Sequence, residues 1–416
     1  MPERPFYGWY LVVGLGVTTI VSYGITQYLF GVLIVPIHSE LGWSRAQISG
    51  AYSVGLVIAG LLAFPIGRLI DQHGARWLMV AGSLLGAASL LLLSGATDLW
   101  QLYVLWSGGV GLAMALTLYP VTFTVVANWF QRRRGSALGL LTVLGGLSSP
   151  IYIPAAGWLV AHLGWRHALV VLAMTALVIS LPIHALLVRR RPEDRGLLRD
   201  GAPGGDVTVP AVVHGDLLRE AVRKPSFWTL TVSNSLSSLA YTTLLVHVVA
   251  FLIGRGYDPV VAASLLGITG IASLPGRFGL NLLSERLGPQ GLLAFCTALQ
   301  GVSVFVLLFG TPAAVIAWVV IYGTTFGTIS PLRASTNAEH FGRQAYGAIT
   351  AAQGIPAAIF AGGGAFLAGV LFDQLGGYGL AFGIVGACFV AAAIFVILTP
   401  AAPAHQPVLA AAEIPG

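Results

Sequence analysis

The stretch Val260 to Leu283, VVAASLLGITGIASLPGRFGLNLL, is long enough to cross a membrane and carries one charge, Arg277, well inside it. At 1.5 Å per residue, Arg277 lies ~12 Å along a helix from Glu285, the next charge in the chain. Hydrocarbon is ~30 Å thick, which puts the guanidinium near the middle and beyond comfortable snorkelling reach. An arginine there costs roughly 2.5–3.5 kcal/mol on insertion scales unless it faces a cavity or a partner. The positions one helical turn away are Ser273 and Asn281, neither of them acidic. Two resolutions are open. Arg277 faces a water-filled cavity where an anionic ligand supplies the missing charge, or it bonds backbone carbonyls of a helix broken at Pro275.

The rest of the chain repeats this kind of run. Of its 416 residues 56% are hydrophobic and only 9% charged, with a mean hydropathy of +0.85. Soluble domains carry roughly 25% charged residues, so the composition predicts an all-α membrane protein and excludes a large soluble enzyme. A net charge of +6 would suit nucleic acid if it were gathered on one face. Instead the basic residues fall in short clusters between apolar runs, as topology signals do, so the expected partner is the lipid bilayer and not nucleic acid. Cys296 and Cys388 fall inside apolar runs and are expected as core fillers. There is no zinc-ligand spacing and no nucleophile–base set, so no metal, no cofactor and no enzymatic activity are expected.

Twelve membrane-length runs are predicted. The first six are Trp9–Ile37, Ala46–Ile70, Trp77–Ser94, Leu99–Val126, Ser136–Ala161 and His167–Val188. The second six are Phe227–Ile253, Val260–Leu283, Gln290–Phe309, Ala313–Ala338, Ala345–Phe372 and Gly379–Leu398. Between the sets, Arg189–Lys224 holds 14 charged residues in 36 and a Pro/Gly-rich middle, so it reads as an aqueous linker. Its end, GDLLREAVRKP, suits a short surface helix stopped by Pro225. The expected division is a six-helix bundle over 1–188, a linker over 189–224, a second bundle over 225–400 and a disordered tail over 401–416. The N-terminus, MPERPFYGWY, runs into the first apolar run without a small-residue cleavage site, so no signal peptide is expected.

Orientation follows from the basic residues. With the N-terminus in the cytoplasm, 16 Lys/Arg fall on the cytoplasmic side, while only Arg45, Arg166 and Arg255 fall outside. Arg277 and Arg333 remain within spans, and Arg333 is expected to snorkel or to bond near Glu339. The bias predicts both termini and the linker inside the cell, in the plasma (inner) membrane.

The two halves repeat each other. Leu41-Gly42-Trp43-Ser44 matches Arg255-Gly256-Tyr257-Asp258, and Asp71…Gly74 matches Glu285…Gly288, both at an offset of 214. Gly157…Gly164 matches Gly369…Gly376 at 212, and Pro120 with Phe130 matches Pro331 with Phe341 at 211. Near-constant offsets indicate one duplicated six-helix unit, with a binding site at the midplane between two bundles.

This layout resembles the major facilitator superfamily. The segment Gly67-Arg-Leu-Ile-Asp71-Gln-His-Gly74-Ala-Arg76 is similar to that family's G-x-L-x-D-R-x-G-x-R loop, departing at Gln72. Its glycines suit a tight turn and close helix approach, and Asp71 with Arg76 offers a charge pair for a cytoplasmic gate. Asn128-Trp-Phe-Gln-Arg-Arg-Arg-Gly135 and Leu163-Gly-Trp-Arg166 also resemble family loops. Within the superfamily the chain looks like the monocarboxylate porters, including bacterial lactate and oxalate/formate carriers. Leu41-Gly-Trp-Ser-Arg45, His247 in HVVAFL and Arg277 in PGRFG carry that likeness.

The resemblance implies that Arg277 pairs with a substrate carboxylate. Ser273 stands where several members have an acid, the first span lacks the lysine of animal members, and Ala345–Phe372 lacks the lysine of oxalate carriers. These departures point to a single-carboxylate substrate. The drug-antiporter pattern G-x-x-x-G-P is not matched by Gly145-Gly-Leu-Ser-Ser-Pro150.

No Asp or Glu lies inside a span, so His247, ~10 Å deep, is the most central group titrating near neutral pH. It either serves the substrate or the proton, or it is a core histidine bonded to a neighbouring helix. Tyr28 and Tyr119 reach the midplane, where a phenol can hydrogen-bond a substrate or close a gate, and Pro120 loosens the helix there. The expected substrate-binding set is Arg277, His247, Tyr119, Ser273, Tyr28 and Gln27, with His247 and Arg277 handling the proton. The expected gate is Gly67, Asp71, Gly74 and Arg76. Together these predict a monomeric secondary carrier of small carboxylates, coupled to protons. An anion exchanger or drug exporter on the same fold, and a non-transporting receptor, are the alternatives.

Overall fold

The computed structural model describes residues 6–201, 215–342 and 344–401, with all side chains among them except those of Asp71, Phe278, Asn281, Leu282 and Glu285. Eleven helical stretches within it are long and apolar enough to cross a membrane. One of them, Arg134–Leu186, has 53 residues and bends at Gly164, whose φ of 76° and ψ of 159° no helix accommodates. It is therefore two crossings, and the described chain has the expected twelve.

The first half comprises α1 (Tyr7–Leu41), α2 (Arg45–His73), α3 (Arg76–Leu93), α4 (Leu99–Trp129), α5 (134–163) and α6 (165–186). The second comprises α7 (Pro225–Gly254), α8 (Pro259–Leu287), α9 (Pro289–Leu307), α10 (Pro312–Phe341), α11 (Tyr346–Leu375) and α12 (Gly379–Ile397). Four of these start on proline, which lacks the N–H that a first helical turn leaves unpaired. Pro225 accordingly opens α7, and the linker helix before it is a single turn, Leu218–Ala221.

The sequence repeat reappears in backbone geometry. Ser44 caps α2 and Asp258 caps α8 through their side-chain oxygens. Gly74 and Gly288 both end helices at positive φ, 81° and 78°, a conformation that costs glycine nothing. The repeat fails at one point. Pro120 interrupts α4, where Leu118 turns extended with ψ −177°, whereas α10 runs continuously through Pro331.

The halves meet along α2–α11, α5–α8 and α1–α7. Backbones approach closely there: a Cβ on Gly369 of α11 would fall 2.8 Å from Ala46 Cα of α2. At the end opposite the linker, the Asp373 carboxylate accepts from the Arg45 and Ala46 amides at 3.1 and 2.8 Å. Arg45 Nη1 donates to the Tyr378 hydroxyl at 2.7 Å, and its guanidinium lies 3.6 Å from the centre of the Phe372 ring. Deeper in, Ser53 Oγ donates to Gly362 O at 2.6 Å.

The described ends of the linker each stay with one half. Asp200, at φ 60°, accepts from the amides of Gln131, Arg132 and Arg133 just before α5, at 2.9, 2.8 and 3.2 Å. Burial works against this carboxylate, but the three N–H groups outweigh it and hold its pKa below the usual 3.8. At the other end Asp216 N donates to Phe341 O, and Lys224 Nζ meets the Asp216 carboxylate at 2.6 Å. Residues 202–214 and the tail from 402 onward, where disorder is expected, lie outside the described residues. Cys296 is buried and Cys388 half-buried, and both are free thiols.

Candidate substrate site

Arg277 sits at the seam between the halves. Helix α8 is not broken at Pro275, so the carbonyl it uses comes from across the interface: Nη1 donates to Thr142 O of α5 at 3.2 Å. One turn on in α5, Gly146 lies under the guanidinium, and a Cβ there would stand 3.3 Å from Arg277 Cζ. On the other flank Gly327 of α10 makes room for the stem, where a Cβ would meet Arg277 Cγ at 2.8 Å. Two glycines, one from each half, thus form the slot. The side chain is half-buried, and its charge acts on the phenols of Tyr28 and Tyr119.

Local backbone irregularities position those phenols. The turn Gly24–Tyr28 of α1 is π-helical, a wider winding that shifts Tyr28 relative to the helix before it. Tyr28 faces Tyr241 of α7 and Ser149 of α5. These three, with Thr269, Tyr322 and Phe326, line a cavity of about 20 Å³, room for one water. Tyr119 is the first residue after the break in α4; its ring stacks on Phe123 at 4.8 Å and its hydroxyl abuts Gly145. Arg277, Tyr28 and Tyr119 are therefore brought together.

Ser273, one turn from Arg277, packs against the same Gly327, whereas Gln27 and His247 lie apart from that group. Ser273 is buried and turned onto its own helix, donating to Gly270 O at 2.6 Å. Gln27 accepts from the Tyr52 hydroxyl and donates to Met114 Sδ at 3.7 Å, tying α1 to α2 and α4. His247 is fully buried in α7 near the end opposite the linker. Its Nε2 donates to Ala365 O of α11 at 2.8 Å, so in the neutral ring Nδ1 accepts from the Tyr378 hydroxyl at 3.1 Å. The histidine thus joins the Arg45–Asp373 network and not the Arg277 slot. Of the gate residues, Gly67 faces open space and Gly74 packs against the stem of Arg190 from the linker. Arg76 stacks over Trp77 at 4.8 Å, while the Asp71 side chain lies outside the described residues.

Sequence reading missed Tyr322 and Phe326, which stack at 5.9 Å, with Phe326 also stacked on Tyr241 at 5.2 Å. Their i, i+4 spacing on one face of the span was the available signal.

The sequence profile of the Major Facilitator Superfamily matches residues 15–361. Monocarboxylate transporter 13 of Bos taurus is 30% identical over 98% of this chain and 93% of its own length. Its counterpart from Rattus norvegicus is 31% identical over 96% and 90% respectively. Among solved structures, the nucleoside transporter NupG superposes with a TM-score of 0.70 at 16% identity, covering 94% of this chain and 98% of that one. A bacterial homologue of the human lysosomal transporter Spinster, inward-facing and unoccupied, gives 0.69 at 16% identity, with coverage of 95% and 96%. The chain is a multi-pass membrane transporter, not an enzyme, and belongs to the major facilitator superfamily.

Proposed function

We propose that this transporter carries small monocarboxylates of the lactate or pyruvate kind, with a proton, by alternating access. The observation that carries the reading is Arg277, held at the seam between two glycines and within electrostatic reach of two phenols. A guanidinium binds a carboxylate through paired N–H donors, and phenols complete the remaining lone pairs. The pair is net neutral, so loading lowers the cost of enclosing the site, whereas an empty Arg277 resists enclosure. Because Gly146 and Gly327 come from different halves, cargo at Arg277 touches both bodies that must rock. The bodies in this reading are 1–188 and 225–400, acting as a monomer in the plasma membrane with termini and linker in the cytoplasm.

The proton step runs through His247. Protonation gives both ring nitrogens an N–H, so Tyr378 loses its acceptor while still receiving the Arg45 donor. The new cation also faces Arg45, with Asp373 as countercharge among the described residues. Acid on the side opposite the linker therefore loosens the seal there and favours loading from that side. The relatives' names, monocarboxylate transporter, agree with this reading.

The test is uptake of labelled lactate, pyruvate and acetate into proteoliposomes under an inward proton gradient, with Arg277→Ala beside the wild type. Gradient-driven uptake lost in the variant supports the proposal. Uptake that needs internal substrate and no gradient makes the protein an exchanger. Normal transport by Arg277→Ala removes the assignment altogether.

A further inference from the structure

Arg333 is the second arginine inside an apolar span, and the carboxylate slot does not use it. It follows Gly327 by six residues in α10, ~9 Å nearer the linker end than the point where that helix packs on Arg277. Tyr322, Phe326, Arg333 and Asn337 share one face of this continuous helix, the face that lines the phenol cavity at Tyr322 and Phe326. Ser330, on the same side, is exposed. Arg333 itself is half-buried. Of the two expectations for Arg333, snorkelling or a bond near Glu339, the bond is not formed, and among the described residues the guanidinium has no hydrogen-bond or ion-pair partner.

One turn along, Asn337 meets Gln353 of α11, each only 3% exposed. Asn337 Nδ2 donates to Gln353 Oε1 at 2.8 Å, which leaves Asn337 Oδ1 and Gln353 Nε2 buried without partners. Reversing both amides leaves the same deficit, one acceptor and one donor unmet. Buried polar atoms are rarely left so, and Asn337 follows Arg333 by one turn on the same face of α10.

We propose that Arg333, Asn337 and Gln353 form a second anion subsite, on the linker side of Arg277, that holds a carboxylate in passage between the midplane and the linker face. The guanidinium supplies charge and paired donors, and Gln353 Nε2 adds a third. With an anion bound, Asn337 Oδ1, four residues from Arg333 on one face and unpartnered without it, would take a remaining guanidinium N–H and fix its plane. An anion leaving Arg277 thus meets a second cation one and a half turns away instead of an apolar wall. The inference rests on reading Arg277 as a carboxylate site, but it is separable from that reading.

Its test is exchange of labelled lactate in vesicles of known orientation, with one face saturated while concentration at the other is varied. Arg333→Gln is expected to raise the half-saturating concentration at the linker face about five-fold or more, and at the opposite face less than about two-fold. Arg333→Lys, which keeps the charge, is expected to fall between wild type and Arg333→Gln. Equal shifts at the two faces, or none at either, overturn the subsite. If the wild type moves no lactate, pyruvate or acetate, the transport reading fails by itself. The subsite is then read from the thermal midpoint of the purified protein in sodium acetate against sodium chloride at equal ionic strength. Stabilisation by acetate that survives Arg277→Ala and disappears in Arg333→Gln sustains it. No stabilisation, or loss with Arg277→Ala alone, rejects it.

Discussion

Arg45 and Arg277 both reach across the seam between the halves, and their surroundings differ in kind. Arg45 stands at the end opposite the linker among groups that complement it: Tyr378 accepts its N–H, Phe372 takes its flat face, and Asp373 caps the helix it begins. Arg277 stands at mid-span against glycine Cα atoms and a carbonyl, with phenols beside it. A network with its own carboxylate ties the halves together without a ligand, although Arg45 Nε is left without a partner, and suits a seal. A slot floored by glycine lets the guanidinium lie close against the opposite half at mid-depth and suits a site. The same residue type thus serves closure in one place and recognition in the other, and the neighbours decide which.

That contrast can be broken. Arg277→Ala is expected to lower carboxylate transport more than about 30-fold, since truncating a desolvated ion-pair partner costs 2 kcal/mol or more. Thermal stability and expression serve as the controls for folding. Asp373→Asn is expected to act on the seal, shifting the balance toward opening opposite the linker by about 1–2 kcal/mol. Thiol labelling of a cysteine introduced behind the seal, in a background lacking Cys296 and Cys388, reads that shift as faster modification. An unchanged labelling rate would mean that the network is ornamental. His247→Gln keeps hydrogen-bonding capacity but cannot gain a proton in this range. Its uptake is expected to lose the rise with external acidity while the neutral-pH rate changes only a few-fold.

The smallest effect concerns the linker. Asp200→Asn keeps the left-handed backbone tolerable and removes the charge, costing about 1 kcal/mol of stability near neutral pH. The sign follows from its depressed pKa. The contribution is present above the unfolded value of 3.8 and fades as pH falls through the lower folded value, so wild type and variant converge in acid. Thermal midpoints across pH measure this, and a gap that persists at low pH would exclude the charge as its cause.

Much of the architecture was legible in the chain because the bilayer imposes it. A membrane helix must satisfy its own backbone over a fixed thickness, so twelve apolar runs translate into twelve crossings. The repeat was legible too, since caps and positive-φ glycines such as Ser44 with Asp258 and Gly74 with Gly288 are local chemistry. Pro120 and Pro331 mark the limit of that logic. Equivalent by offset, they give a break in one half and a continuous helix in the other.

The site was only partly legible. Arg277 stood out because a charge in hydrocarbon is costly, and Tyr28 and Tyr119 because depth along a helix follows from counting residues. Counting gives no rotation about the helix axis, and spans that are apolar on all sides carry no stripe to supply it. Depth and residue type therefore made His247 a companion of Arg277, whereas packing turned it toward Ala365 and Tyr378. Rotation also gave Gln27 to Tyr52, and brought Tyr241, Tyr322 and Phe326 around Tyr28. The sequence by itself determined the class of protein, the number of spans, the duplication and the arginine at mid-depth. Tertiary structure alone decided which side chains share a space, because that depends on how each helix is turned in the packed bundle.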